Sequence, residues 1–515
     1  MKKQSLIKGS IILGIAGILT RILGLFFRWP LIMLIGDEGV GYYQMSYPLY
    51  MFFVAMASGV PVAISKMISE NNVIGEQRNN YIVVKEAILL MFIIGTGTSG
   101  VLFIFAKPII NFLRWDVKAY YSLIGISLAP IIVGILTIFR GFFQGFQNMT
   151  PSAISQILEQ VGRIIFGIGL AIILLPKGIE YSAGGAACGA AGGGLLALLY
   201  LFYKYKRVKK KSGIKKVKSD PNVLNRILMI SIPISLGATV GSIMSLIDSI
   251  LVPKQLLEAG FSSSEATVLF AQLTGKASVI VNIPLTMSIA ICTSLIPIIA
   301  EVYLLNKKKV LEGKINLAIK LSAVISIPCL FGLFFMAEPI MKFIFPGRYE
   351  GIEILKYLSL SIPFIIITQT TTSILQGVGS YLLPVINLFV GCIVKIILTI
   401  VLVPQKDINI FGAVIATLGA YLVVTMLNVI VIKVRLGVKM QFYKNFIKPA
   451  YAAILMMIVV LISYNVFYKN TLSNSISCLL SISIGAIIYS IGILMLRVFS
   501  VQEVRGRLKR SKKHV

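Results

Sequence analysis

Eight ionisable residues stand inside long apolar runs of this chain: Arg21, Arg28, Glu159, Arg163, Asp248, Lys276, Lys320 and Lys395. An ionisable group at the centre of a membrane helix costs roughly 2.5–3.5 kcal/mol on insertion scales, so such residues face a partner or a cavity. Six cations against two anions leave a positive interior, which suits an anionic group. Arg21 and Arg28 are seven apart, two helical turns, and share a face. Their planar forks of donors suit phosphate better than a lysine would. Glu159 and Arg163 are spaced i, i+4 with the acid first, the favourable order for a helical ion pair. That pair reads either as self-neutralised structure or as part of a cavity. Asp248, in Ser245-Leu-Ile-Asp-Ser249, is expected to pair with an arginine or to bind a coupling cation, sodium or proton. Lys276 and Lys395 are candidate cavity cations, whereas Lys320 lies near a helix end and is expected to snorkel. The candidate substrate-binding set is therefore Arg21, Arg28, Arg163, Lys276 and Lys395. Asp248 and Glu159 are the candidates for ion coupling or charge pairing.

Nothing comparable supports bond-making chemistry, and the chain is not read as an enzyme. The single histidine, His514, sits in the C-terminal tail, and no acidic cluster exists. The five cysteines (Cys188, Cys292, Cys329, Cys392 and Cys478) are far apart in apolar stretches, without zinc or redox spacing. No metal or cofactor is expected. A glycosyltransferase or polymerase would need a large polar domain or clustered Asp, Glu and His.

The elements that must hold these residues are membrane helices. Soluble proteins carry about 25% charged residues; this chain has 13%, with 57% hydrophobic residues over 515 positions. Fourteen apolar runs are long enough to cross a bilayer. The first, near 7–35, contains Arg21 and Arg28 and is read as a mature helix, not a cleaved leader. Placing the N-terminus inside puts 33 basic residues on the inner side and 10 on the outer. That bias accounts for the net charge of +30 without nucleic acid and predicts two cytoplasmic termini in a multi-pass cell-membrane protein. The basic stretch Tyr203 to Asp220 reads as a cytoplasmic loop facing anionic headgroups.

The two halves match at an offset of about 232: Ser127-Leu-Ala-Pro130 against Leu360-Ser-Ile-Pro363, Phe143-Gln-Gly145 against Leu375-Gln-Gly377, Pro151 against Pro384. Arg163 falls on Lys395 in this register. Six spans per half give both halves the same orientation, the parallel repeat of some transporters. The expected organisation is an N-lobe (1–203), a basic linker (204–221), a C-lobe (222–434), two appended spans (435–497) and a basic tail (498–515). The fold class is all-α and polytopic, two six-helix lobes related by a pseudo-two-fold along the membrane normal plus two C-terminal helices. Intramembrane Gly24, Gly59, Pro61, Pro130, Pro233, Pro284, Pro328 and Pro363 are expected to interrupt helices or permit close approach. The Ser182 to Gly194 run predicts tight helix packing through small residues.

Several ordered motifs resemble the stage V sporulation protein B family, in the polysaccharide-transporter branch of the multidrug/oligosaccharidyl-lipid/polysaccharide (MOP) flippase superfamily. They are Lys8-Gly-Ser10, Thr20-Arg-Ile-Leu-Gly24 with Arg28, Ile35-Gly-Asp-Glu-Gly-Val-Gly41, Gly59-Val-Pro-Val-Ala-Ile-Ser-Lys66 and Phe139-Arg-Gly-Phe-Phe-Gln-Gly145. The resemblance implies a fourteen-helix flippase for undecaprenyl-linked glycan precursors serving spore-cortex peptidoglycan. The partners expected are the lipid-linked oligosaccharide, membrane lipids and envelope glycan polymerases. By likeness to the murein lipid II flippases, Arg21 and Arg28 take the place of span-one arginines that hold the lipid pyrophosphate. Those relatives also have an arginine in span two and an arginine with a nearby glutamate in span eight. Here span two has no arginine, and span eight offers Lys276 and the Asn282-Ile-Pro284 turn. The alternatives are an ion-coupled multidrug or metabolite antiporter of the same superfamily, or an exporter of another lipid-linked polysaccharide.

Overall fold

The computed structural model describes residue 4 and residues 6–214, 218–439, 441 and 443–498. His514, almost all of the basic tail, and residues 215–217 of the linker lie outside the described residues. Among those described, the chain is helical throughout, with no strand. It divides into two compact units, 1–271 and 272–515.

The first unit contains α1 (Leu6–Ala57), α2 (Gly59–Ile74), α3 (Gln77–Ile104), α4 (Ala106–Leu113), α5 (Ala119–Ser127), α6 (Ala129–Gly145), α7 (Thr150–Leu174), α8 (Ile179–Lys211), α9 (Pro221–Glu258) and α10 (Ser263–Ala271). The second opens with a π-helical turn (Gln272–Ala277). It continues through α11 (Ser278–Leu304), α12 (Lys308–Phe335), α13 (Ala337–Ile344), α14 (Ile352–Leu358), α15 (Ile362–Gly377), α16 (Leu382–Leu402), α17 (Ile410–Leu436), α18 (Lys448–Thr471) and α19 (Asn474–Met495).

Among the described residues, thirteen helical stretches are long and apolar enough to cross a membrane. The first of them, Ile12–Ile74, has 63 residues, roughly three times the length that a bilayer core requires. It is not one rod. Along a straight helix Phe27 and Tyr43 would be about 24 Å apart, yet their ring centroids are 5.9 Å apart. The chain turns back at Gly36, whose φ of 68° and ψ of −174° are non-helical. That conformation is essentially open to glycine alone. The first stretch therefore supplies two crossings, and the expected fourteen are present.

The repeat is visible in the elements themselves. α12, α13, α15, α16 and α17 begin 231–233 residues after α3, α4, α6, α7 and α8, respectively. Each copy has a short amphipathic helix of eight residues (α4 and α13) after its third crossing. In each, the fourth crossing is broken just before a proline, Pro130 or Pro363, at the start of the following helix. These two prolines open helices, whereas Pro233, Pro284 and Pro328 lie inside them.

The division between units does not fall in the 204–221 linker. α8 runs on to Lys211, and α9, the first element of the expected C-lobe, packs on α1, α2 and α3. The reason is local. Gly59 has no side chain, so α2 lies directly on the Ser231 carbonyl of α9, and the Gly59 N–H donates to Ser235 Oγ at 3.1 Å. The end of the linker is tied down as well: the buried Glu86 carboxylate of α3 accepts from Ser219 Oγ and from the Asp220 N–H. In the second unit α18 and α19 pack on each other and join α12 through Tyr489 Oη, which donates to the Val324 carbonyl at 2.8 Å. Lys320 donates to the Val498 carbonyl at 3.0 Å.

Replacing Gly36 by alanine should destabilise the first unit by about 1–3 kcal/mol, the range for a residue held in a disfavoured backbone region. Gly14→Ala, at a helical site with open space around it, is the control. Thermal unfolding of the detergent-solubilised protein should show a lower midpoint for Gly36→Ala only. Equal midpoints would mean that the turn tolerates a side chain.

Candidate functional site

The site is assembled on α7. Gly162 faces Gly193 of α8, and Gly189 of α8 faces Gly167, so closely that a methyl group on Gly162 or Gly189 would lie 2.7 Å from the opposing Cα. The Gly/Ala run of α8 thus brings two backbones together, as small residues do in membranes. α7 also packs on α1 and α6.

Arg163, near the middle of this 25-residue helix, is 8% exposed. Its Nη1 donates to Tyr47 Oη at 3.2 Å, its guanidinium lies 5.7 Å from the Tyr47 ring centroid, and its Nη2 is 3.8 Å from Glu159 Oε1. The other carboxylate oxygen, Glu159 Oε2, accepts from Arg140 Nη2 at 2.8 Å. Arg140 Nε donates to Ser155 Oγ at 2.9 Å. One carboxylate therefore serves two guanidiniums, and the cluster keeps a net positive charge. Among the described residues Arg163 Nε is buried with no hydrogen-bond partner. Leaving such a donor unmet costs about 1–3 kcal/mol, more for a charged group, and an anion would meet it.

Tyr43, Tyr47 and Tyr50, spaced i, i+4, i+7, line the neighbouring face of α1. Tyr43 and Tyr47 stack at 5.5 Å, and Tyr47 meets Tyr50 at 5.9 Å. Arg28, half-buried, follows Phe27, whose ring packs on Tyr43. Arg21, two turns before Arg28, is exposed. Asp248 is half-buried on α9, beside Ser249, whose carbonyl accepts from Trp115 Nε1 at 2.7 Å.

The second unit treats its cations differently. Lys276, 1% exposed in the π-helical turn, donates to the Arg348 carbonyl at 2.7 Å and to Glu350 Oε2 at 3.3 Å. Partial burial raises the Glu350 pKa, but its own backbone amide, Lys276 and Arg348 outweigh that and hold it below the usual carboxylate range. This contact is present at neutral pH and is lost as pH falls through that lowered value. Lys395, 2% exposed on α16, is the repeat counterpart of Arg163. In the same register Thr372 and Gly391 stand where Arg140 and Glu159 stand in the first unit. A neutral network occupies this place: Asn387 Nδ2 donates to Asn428 Oδ1 at 2.8 Å, and Asn428 Nδ2 to Thr371 and Thr372 at 3.1 and 3.2 Å.

Of the seven residues expected at the site, Glu159 and Arg163 are brought into contact, and Arg28 follows Phe27, whose ring packs on Tyr43. Arg140 and the three tyrosines were not expected. Arg140 reads as a loop cation near a span end, and the tyrosine spacing was its own unread signal.

A family model described as polysaccharide biosynthesis protein matches residues 6–303, and a second, MatE, matches 273–401. The chain belongs to the polysaccharide biosynthesis protein family. It is 31% identical to stage V sporulation protein B of Bacillus subtilis (strain 168), over 83% of each chain. It is 26% identical to the lipid II flippase MurJ of the same organism, over 84% of each. Among solved structures, an inward closed conformation of the lipid II flippase MurJ superposes with a TM-score of 0.73 at 19% identity, covering 95% of this chain and 99% of that one. An inward-facing MATE transporter of the MOP superfamily gives 0.68 at 14% identity, over 81% and 94%. This family member is accordingly a polytopic membrane protein. Its arginine cluster lies wholly within the polysaccharide-biosynthesis match, while Lys276 lies where the two matches overlap and Lys395 in the MatE match alone.

Glu159→Ala would strand the buried Arg163 and half-buried Arg140 guanidiniums, and breaking a buried pair in this way costs about 3–5 kcal/mol. The expected result is a sharp fall in folded yield and unfolding midpoint, largely regained in Glu159→Ala/Arg140→Met. A Glu159→Ala protein that unfolds at the wild-type temperature would show that the carboxylate does not hold the cluster.

Proposed function

We propose that this protein moves an undecaprenyl-pyrophosphate-linked glycan precursor of the lipid II kind across the cell membrane by alternating access, with both termini in the cytoplasm. The observation that carries the reading is the net-positive cluster in the first unit, in which buried Arg163 keeps one donor unmet; Arg28 follows Phe27, whose ring packs on Tyr43 beside it. A pyrophosphate would satisfy such donors through charge-assisted bonds, the strong kind. The relatives are named for lipid II flipping and for sporulation, which supports a lipid-linked glycan as cargo and the spore cortex as its destination. Bond-breaking has no part in this reading, and no cofactor is needed. Glu159 is already held by two arginines, so Asp248 is the better place for a coupling sodium or proton. Surplus positive charge argues against a cationic drug as cargo.

The test is flipping of fluorescent lipid II by the purified protein in reconstituted vesicles. Arg28→Lys should lose about tenfold in rate although the charge is kept, because lysine supplies a point charge in place of a fork. Arg28→Ala should lose nearly all activity, and Arg21 variants should follow the same order with smaller effects. Wild-type rates in both Arg28 variants would remove the arginine from cargo binding, and absent lipid II flipping with transport of another undecaprenyl-linked glycan would reassign the cargo.

A further inference from the structure

At the end of α8 in the first unit lies an open cleft of about 560 Å³ that the arginine cluster does not use. Tyr200, Lys204, Arg207 and Lys211 line one side of it. Their spacing of four, three and four residues puts them on a single helix face. Among the described residues no carboxylate lines the cleft. Among the described residues none of these three cations makes an ion pair; Lys204 Nζ rests 5.7 Å from the Tyr200 ring centroid. Opposite them are the amides of Gln77 and Asn148 and the first turn of α7 at Thr150. Gln4 fixes that turn, donating to Thr150 Oγ1 at 2.6 Å and accepting from the Met149 N–H at 2.9 Å. The remaining aromatic lining is Tyr81, Phe143 and Phe146, and Tyr81 and Phe146 pack on Phe142 at 6.1 and 4.9 Å between ring centroids.

The cleft also has an apolar exit. Ile154 is one of its walls and is 38% exposed, and Ile165, on the same face three turns along α7, is 60% exposed. Leu158 and Val161, half-buried, lie between them. A strip suited to an acyl chain thus runs from a pocket suited to phosphate. A soluble phosphate compound would use only the pocket; an amphiphile uses both.

We propose that this cleft binds the phosphodiester headgroup of an anionic glycerophospholipid, with Lys204, Arg207 and Lys211 on the phosphate and an acyl chain along Ile154 and Ile165. The leaflet concerned is the one that the basic end of α8 meets, where each added cation strengthens binding to anionic lipid.

The full-length protein, purified in neutral detergent, would be titrated with fluorescent phosphatidylglycerol and with the matching phosphatidylcholine. Wild type should prefer phosphatidylglycerol, and Lys204→Gln/Arg207→Gln/Lys211→Gln should weaken that binding at least about tenfold. Lys206→Gln/Lys209→Gln/Lys210→Gln removes the same charge from residues outside the cleft and should leave the affinity within about twofold. Equal losses in both triple variants would reduce the effect to general charge and overturn the site. Retained binding in the first variant would overturn it as well. Displacement of the lipid by millimolar inorganic phosphate would reassign the cleft to a soluble phosphate ligand. Unchanged unfolding midpoints in both variants exclude misfolding as the cause of any loss.

Discussion

A guanidinium cannot be left bare at membrane depth, and the first unit is organised around meeting that requirement. Glu159 is shared between Arg140 and Arg163, and the remaining bonds come from Ser155 and Tyr47. The arrangement demands that α7 be held firmly against α8, which the facing glycines accomplish. Gly193 lies on the Glu159 carbonyl and the Arg163 backbone, with no room for a methyl group. Packing and charge are thus one design: the small residues fix the helix that carries the ions. One carboxylate for two arginines leaves the cluster short of negative charge, which an incoming anion would supply.

Duplication produced two scaffolds with the same element order and different polar interiors. Where the first unit has Arg140, Glu159 and Arg163, the second has Thr372, Gly391 and Lys395 in register. Hydroxyls and amides there form a neutral network, and Lys276 is secured by carbonyls and Glu350. Such networks rigidify a core at lower electrostatic cost than ions do. The two copies have kept their helices and differ in their polar residues.

Much of this was legible in the residues. Charges inside apolar runs are conspicuous, so Arg28, Glu159 and Arg163 could be singled out, and the i, i+4 spacing of Glu159 and Arg163 matches the contact between those two. Matched prolines and Gln-Gly pairs gave the repeat its offset. Arg140 escaped because a cation at a span end looks the same whether it faces water or a buried acid. Tyr43, Tyr47 and Tyr50 escaped because aromatic residues are ordinary in membrane helices, and only a facing arginine makes them a site. Glu86 escaped for the reason Arg140 did, since its partners, Ser219 and Asp220, are distant in sequence. The seat of α9 against α1, α2 and α3 follows from a single missing side chain at Gly59, a cue too small to outweigh a long basic linker.

The central claim is that the first-unit arginine cluster recognises pyrophosphate. The most direct measurement is the affinity of the purified protein in nanodiscs for undecaprenyl pyrophosphate against undecaprenol, in wild type and in Arg163→Lys. Wild type should prefer the pyrophosphate by at least about tenfold, and Arg163→Lys should lose most of that preference while retaining the undecaprenol affinity. Equal affinity of the wild-type protein for the two lipids, or an undiminished preference in Arg163→Lys, would contradict the account.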